Sequence, residues 1–156
     1  MAHNINFNER TGKYSFFTVQ QKAWHSLGQI VEQYPTSAEA IKHAGLDYEV
    51  VKSPLFTKGS GIIETAQGIE IGSHELEVPN YFANIRTDNN TVLGVVGKDY
   101  HIVQNREAFN FFDAILGGSD GILYETAGAL GNGERIFITA KLPDYIRVGN
   151  GDDVTE

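Results

Sequence analysis

No dipeptide constrains the fold of this chain more than Asn132-Gly133. An Asn-Gly pair between two β-favouring runs predicts a two-residue type I′ turn. Both turn positions need positive φ, and the twist of the turn matches that of paired strands. The flanking runs span 122–130 and 135–142. The turn sets a register with Gly131 opposite Glu134, Leu130 opposite Arg135 and Gly128 opposite Phe137, then Thr126 opposite Thr139 and Tyr124 opposite Lys141. Side chains alternate across a strand with period two. Ile136, Ile138, Ala140 and Leu142 therefore share a core face with Ala129, Ala127 and Leu123. The opposite face carries Tyr124, Thr126, Arg135, Phe137, Thr139 and Lys141.

Upstream, 81–116 reads as strand, turn, strand and helix. Tyr81–Arg86 is β-favouring, Asp88-Asn89-Asn90 is a turn cluster, and the apolar run Val92–Val96 suits one buried strand. Asn105 is the expected N-cap of the helix, with Glu107 at the positive end of its dipole. Ala108, Phe111, Phe112, Ile115 and Leu116 recur at helical spacing as its apolar face, and Gly117-Gly118 stops it. This stretch is the expected packing nucleus.

Earlier in the chain, Tyr14–Val19 is a candidate strand. Thr36 and Glu39 form a capping box for a short helix, 37–44, ended by Gly45 with Leu46 packing back. The strand 47–56 contains Pro54, which points to an edge or a bulge. Ile62–Glu64 and Ile69–Ile71 flank Ala66-Gln67-Gly68 and suggest a small hairpin or a mobile β excursion. The glycines at 59, 61, 68 and 72 mark this as the least regular and most mobile part. The expected class is α+β: a mostly antiparallel sheet built from β-hairpins with two helices packed on it. One domain is expected over 1–148, including an N-terminal arm 1–34, with 149–156 a turn or tail.

Cysteine is absent, which excludes disulfides and thiolate chemistry. No apolar run reaches membrane-spanning length, the N-terminus lacks signal-peptide blocks, and a cytoplasmic location is the default. The net charge of −8 opposes an indiscriminate phosphate-binding surface but leaves room for a local basic patch. Gly128–Gly133 is glycine-rich, yet it lies between strands, whereas a phosphate loop opens a helix. The five histidines show no metal-ligand spacing, no GxSxG motif is present, and no cofactor is implied. Asp99, Glu107 and Asp113 fall near the helix in sequence. A metal-dependent nuclease could be built from such carboxylates, but no spacing here is diagnostic, and it is a third-ranked reading behind two non-enzymatic ones. Trp24-His25 either frames a pocket or anchors the N-terminal arm.

The Phe137 face is the strongest functional candidate. Tyr124, Arg135, Phe137 and Lys141 combine aromatics and cations on one sheet surface, the arrangement that single-strand nucleic-acid binders use. The bland alternatives are cover by the protein's own chain or a subunit interface, since exposed aromatic patches are uncommon on complete monomers. The expected partner is single-stranded nucleic acid or another protein, including a homo-oligomeric copy.

Four stretches carry a family resemblance: Ala23–Gly28, Ala44–Val50, Leu93–Phe112, and Tyr124–Gly128 with Ala140–Pro143. Through them the chain resembles the phage/plasmid-related protein family built on a domain of unknown function. The resemblance implies a mobile-element origin and no catalytic residue. Its members are usually longer, which implies that this chain is an N-terminal portion.

Overall fold

In the computed structural model, residues 4–23, 25–115, 123–141, 146–148 and 152–154 are described. In chain order the elements are β1 Phe7–Asn8, β2 Lys13–Tyr14, β3 Phe16–Val19, β4 Gln29–Val31, α1 Ser37–His43, β5 Val50–Thr65 and β6 Gly68–Arg86. They continue with β7 Val92–Gly97, α2 Asn105–Ile115, β8 Leu123–Leu130, β9 Arg135–Lys141, β10 Ile146–Val148 and β11 Asp152–Val154. The class is α+β, as expected. Two compact units divide the chain: Met1–Glu49 with Val103–Glu156, and Val50–Ile102. The expected nucleus is therefore split, its strands in the second unit and its helix in the first. No helix of the described residues is long and apolar enough to cross a membrane.

In the first unit, Thr36 and Glu39 close the predicted capping box, with the Thr36 N–H donating to Glu39 Oε2 at 2.9 Å. The N–H of Leu46 reaches the Ile41 carbonyl at 2.8 Å and that of Gly45 reaches Lys42 at 3.0 Å. These two bonds satisfy carbonyls that the helix end would otherwise orphan. Ala40, Ile41, Ala44 and Leu46 are buried.

Helix α2 departs from its expected start and face. Asn105 is not the cap. Glu107 accepts from the Gln104 N–H at 2.9 Å, and the buried Asn105 amide instead donates to the Leu46 carbonyl at 2.9 Å. Phe109 is the buried anchor, 1% exposed, Phe112 is half-buried, and Phe111 is 63% exposed. Leu116, Gly117-Gly118, Leu142 and the Ile115 side chain lie outside the described residues.

A four-stranded sheet in the order β4-β3-β8-β9 backs these helices. β3 runs parallel to β4 and antiparallel to β8, so a strand of the presumed N-terminal arm is internal to the sheet. Phe17 pairs with Ala127, and with Ala129 they are fully buried on the face against which α1 packs. The N-terminal segment is stitched to the β8–β9 loop. Buried Asn6 donates from Nδ2 to the Gly131 carbonyl and accepts from Ser15 Oγ, both at 2.9 Å.

The β8–β9 loop keeps the expected register but not the expected turn. Leu130 pairs with Arg135, Gly128 with Phe137 and Thr126 with Thr139. Gly131 and Gly133 have positive φ and Asn132 does not, so the connection is four residues, 131–134, rather than a type I′ pair. Glu134 organises it, accepting from the Asn132 backbone N–H at 2.7 Å and from its side-chain amide at 3.1 Å. Burial opposes ionisation of this carboxyl. Hydrogen bonds from its own, Asn132 and Gly133 backbone and from the Asn132 amide prevail and hold it below the usual glutamate range.

In the second unit, β5, β6 and β7 form an antiparallel sheet. β5 is an edge strand with an irregularity between Pro54 and Phe56, as its proline suggested. The predicted small hairpin is the tip of one much longer: pairing continues from Thr65↔Gly68 back to Val50↔Arg86. The glycine-rich part, expected to be the least regular, is thus continuously paired strand, although Gly61 and Gly68 take positive φ. Val92 and Val95 are 53% and 58% exposed, so β7 is not the buried strand its apolar run suggested. Arg86 is fully buried, held bidentately by Asp88 at 3.0 and 2.8 Å. At the chain end, β11 pairs antiparallel with β10 where a turn or tail was expected.

Candidate nucleic-acid interface

On β9, Arg135, Phe137, Thr139 and Lys141 alternate onto the face away from the helices. Register extends this outer face across the sheet. Phe16, Gly128 and Phe137 form one cross-strand row; Ile30, Thr18, Thr126 and Thr139 form the next. The Thr126 and Thr139 hydroxyls bond to each other at 2.6 Å.

Gly128 explains how Phe137 lies. A Cβ there would sit 2.8 Å from Phe137 Cζ and 2.7 Å from the Ser15 carbonyl oxygen. The ring therefore rests over the glycine, covering a gap in the sheet surface. Its centroid is 6.0 Å from that of Phe16. Phe137 is half-buried, so a rim of the ring stays accessible, whereas Phe16 is 5% exposed.

Phe16 is covered by the β3–β4 connection. His25 meets it edge-on, with centroids 4.9 Å apart and planes at 72°. Gly28, at φ +85°, passes so close that a Cβ would lie 2.6 Å from Phe16 Cδ1. The Leu27 N–H donates to His25 Nδ1 at 3.1 Å. That bond fixes the ring and leaves the proton of the neutral imidazole on Nε2. His25 and Phe137, expected at separate sites, are thus the two ends of one aromatic row through Phe16. Trp24 lies outside the described residues. Arg135 and Lys141 flank the row, both exposed, and no described carboxylate forms an ion pair with either.

Tyr124 does not belong to this face. A register shift between Tyr124 and Thr126 pairs Tyr124 with Ala140 rather than Lys141, and Leu123 with Lys141. One extra residue, Glu125, reverses the side-chain alternation, as a bulge must. Leu123 turns outward, 39% exposed, and Tyr124 turns inward, 1% exposed. There it packs 5.7 Å from the Phe109 ring, and its hydroxyl donates to Asp113 Oδ1 at 2.5 Å. Burial, then the Asp113 carboxylate, pushes the Tyr124 hydroxyl well above the ordinary tyrosine range.

The three carboxylates grouped in sequence are not one site. Asp99 is in the second unit; Glu107 caps α2 and Asp113 holds Tyr124. Among the described residues no three His, Asp or Glu side chains converge as metal ligands. Sequence reasoning missed Phe16, Thr18 and Ile30. Tyr14–Val19 was legible as a strand, but nothing in its residues names the strand it pairs with.

Residues 92–156 match a family model described as a domain of unknown function (DUF932). The match takes in β7, α2 and the whole β8–β9 hairpin, hence Arg135, Phe137 and Lys141; Phe16 and His25 lie outside it. No curated protein and no solved structure matches the chain.

Proposed function

We propose that this chain is a non-catalytic binding module of a mobile genetic element, and that its outer sheet face receives single-stranded nucleic acid. One observation carries the reading: a helix-backed four-stranded sheet whose face away from the helices holds the row His25, Phe16 and Phe137 beside the cations Arg135 and Lys141, which form no ion pair with a described carboxylate. Such a face offers a ring edge for bases and charge for phosphates, and the threonine row adds hydroxyl donors and acceptors. The mobile-element context rests on the sequence resemblance alone. A net charge of −8 favours a second reading, in which the same face contacts another protein or subunit.

The test measures binding of a labelled pyrimidine oligonucleotide to the full chain and to Phe137→Ala, Arg135→Ala and Lys141→Ala. Strand binding predicts that all three weaken association. Loss of the ring contact weakens binding without changing its salt slope, and only the two charge changes flatten the salt dependence. A subunit or partner interface predicts loss of assembly from Phe137→Ala with no salt signature. Lowered stability of Phe137→Ala with unchanged binding would leave Phe137 as a cover for Gly128 and nothing more.

A further inference from the structure

The β5–β6 hairpin runs on past the end of β7. Beyond the irregularity after Pro54, Phe56–Thr65 and Gly68–Glu77 pair only with each other. Among the described residues the strand order gives β5 no second neighbour, so the outer edge of the ribbon, Phe56–Thr65, is open. A lone two-stranded ribbon is marginal in water, and an open edge is a template for another strand. Apolar side chains stand exposed on this strand, Phe56 at 54% and Ile62 at 69%. The ribbon carries Glu64, Glu70, Glu75 and Glu77 against Lys58, which disfavours a polyanion as its partner.

Hairpin closure dictates which backbone groups face outward. Two residues, Ala66 and Gln67, separate the paired Thr65 and Gly68. That closing pair exchanges hydrogen bonds within the hairpin, and by alternation Gly59 and Gly61 do too. The N–H and C=O groups of Lys58, Ser60, Ile62 and Glu64 therefore point away from β6.

We propose that this edge pairs with the same edge of a second copy, antiparallel about a two-fold axis at Gly61, giving one continuous four-stranded sheet. In that register Ser60 lies opposite the partner's Ile62, Thr57 opposite the partner's Thr65, and Lys58 opposite the partner's Glu64. Symmetry repeats each pair, so two opposite-charge cross-strand pairs form along with about eight backbone hydrogen bonds. An axis at Ser60 would set Lys58 against the partner's Ile62 and Phe56 against the partner's Glu64; an axis at Ile62 would set Lys58 against the partner's Ala66. Neither pairs the charges. Gly61 suits the axis, where the pair that is not hydrogen-bonded brings the backbones closest, because it adds no Cβ there and none of its own chain lies within 4 Å of that position. The interface is isologous, so it closes at two copies instead of propagating.

Sedimentation of the full chain over a wide concentration range tests this. The expected result is a monomer–dimer equilibrium that Lys58→Glu or Glu64→Lys each weakens by about tenfold or more. The double variant Lys58→Glu/Glu64→Lys should restore it. These side chains are exposed, so the fold is expected to survive, and hydrogen exchange supplies a second readout. The amides of Lys58, Ser60, Ile62 and Glu64 should gain protection in the dimer and lose it on dilution. A chain monomeric throughout, single variants without effect, or a double variant that fails to recover would each overturn the proposal.

Discussion

Replacing Tyr124 by Phe removes one oxygen from the interior of the helix-backed sheet and leaves the ring against Phe109. The lost interaction is the hydroxyl's 2.5 Å bond to Asp113 Oδ1. A hydrogen bond to a charged group contributes about 1.5–3 kcal/mol. Asp113 is half-buried, so water can replace the hydroxyl at its carboxylate, which places the expected cost at the low end, about 1.5–2 kcal/mol. Urea denaturation should show a lower midpoint at unchanged slope. A double-mutant cycle with Asp113→Asn should return a coupling of about 1 kcal/mol, because the two groups touch. The test also decides between two registers. With Tyr124 opposite Lys141 on the outer face, hydroxyl removal would be a surface change, within about 0.5 kcal/mol of neutral. A loss that small, or an additive cycle, would refute the bulge at Glu125 and return Tyr124 to the candidate interface.

Three further outcomes are expected. Gly128→Ala should cost about 1–3 kcal/mol by calorimetry: the Phe137 ring can tilt away, but the Ser15 carbonyl is ladder backbone and accepts the Ala129 N–H at 2.9 Å. Asn105→Ala should cost about 1–2 kcal/mol in urea, since it leaves the Leu46 carbonyl without its buried donor. The folded-state pKa of Tyr124 is raised above its unfolded value, so its contribution is intact below about pH 10 and is lost as pH rises beyond that. Urea midpoints across that range should fall for the native chain and fall less for Tyr124→Phe.

The parts of the fold set by local chemistry were legible in the sequence. Thr36 and Glu39 find each other within one turn, and Leu130 through Phe137 paired as read. Legibility ended where two local solutions competed. Phe109, Phe111 and Phe112 allow two helical stripes, and choosing Phe109 requires knowing that Tyr124 waits opposite it. Glu125 carries no glycine or proline to announce a bulge; the Asp113 partner of its neighbour Tyr124 draws that side chain inward. Asn132 met a carboxylate two residues on, and two hydrogen bonds to Glu134 outweighed the intrinsic turn preference of Asn-Gly. At the candidate interface, Arg135, Phe137 and Lys141 were found because β9 alternates, but Phe16 enters from a strand more than a hundred residues away.

That separation has a kinetic meaning. Asn6 and Gly131, joined through the Asn6 amide, are 125 residues apart in sequence. β3 sits between β4 and β8, so during synthesis it has one neighbour early and lacks the other until β8 emerges. The cost of closing such a loop falls on the rate. The β5–β6 hairpin, by contrast, zips from Ala66-Gln67 through neighbours in sequence, and hairpins of this kind form within about 1–10 μs. The inserted unit is therefore expected to be complete while the sheet that encloses it in sequence is still waiting for its far half. Refolding should show two phases, the slow one about twofold faster when residues 103–156 are joined directly to 1–49, because that shortens the loop between Asn6 and Gly131.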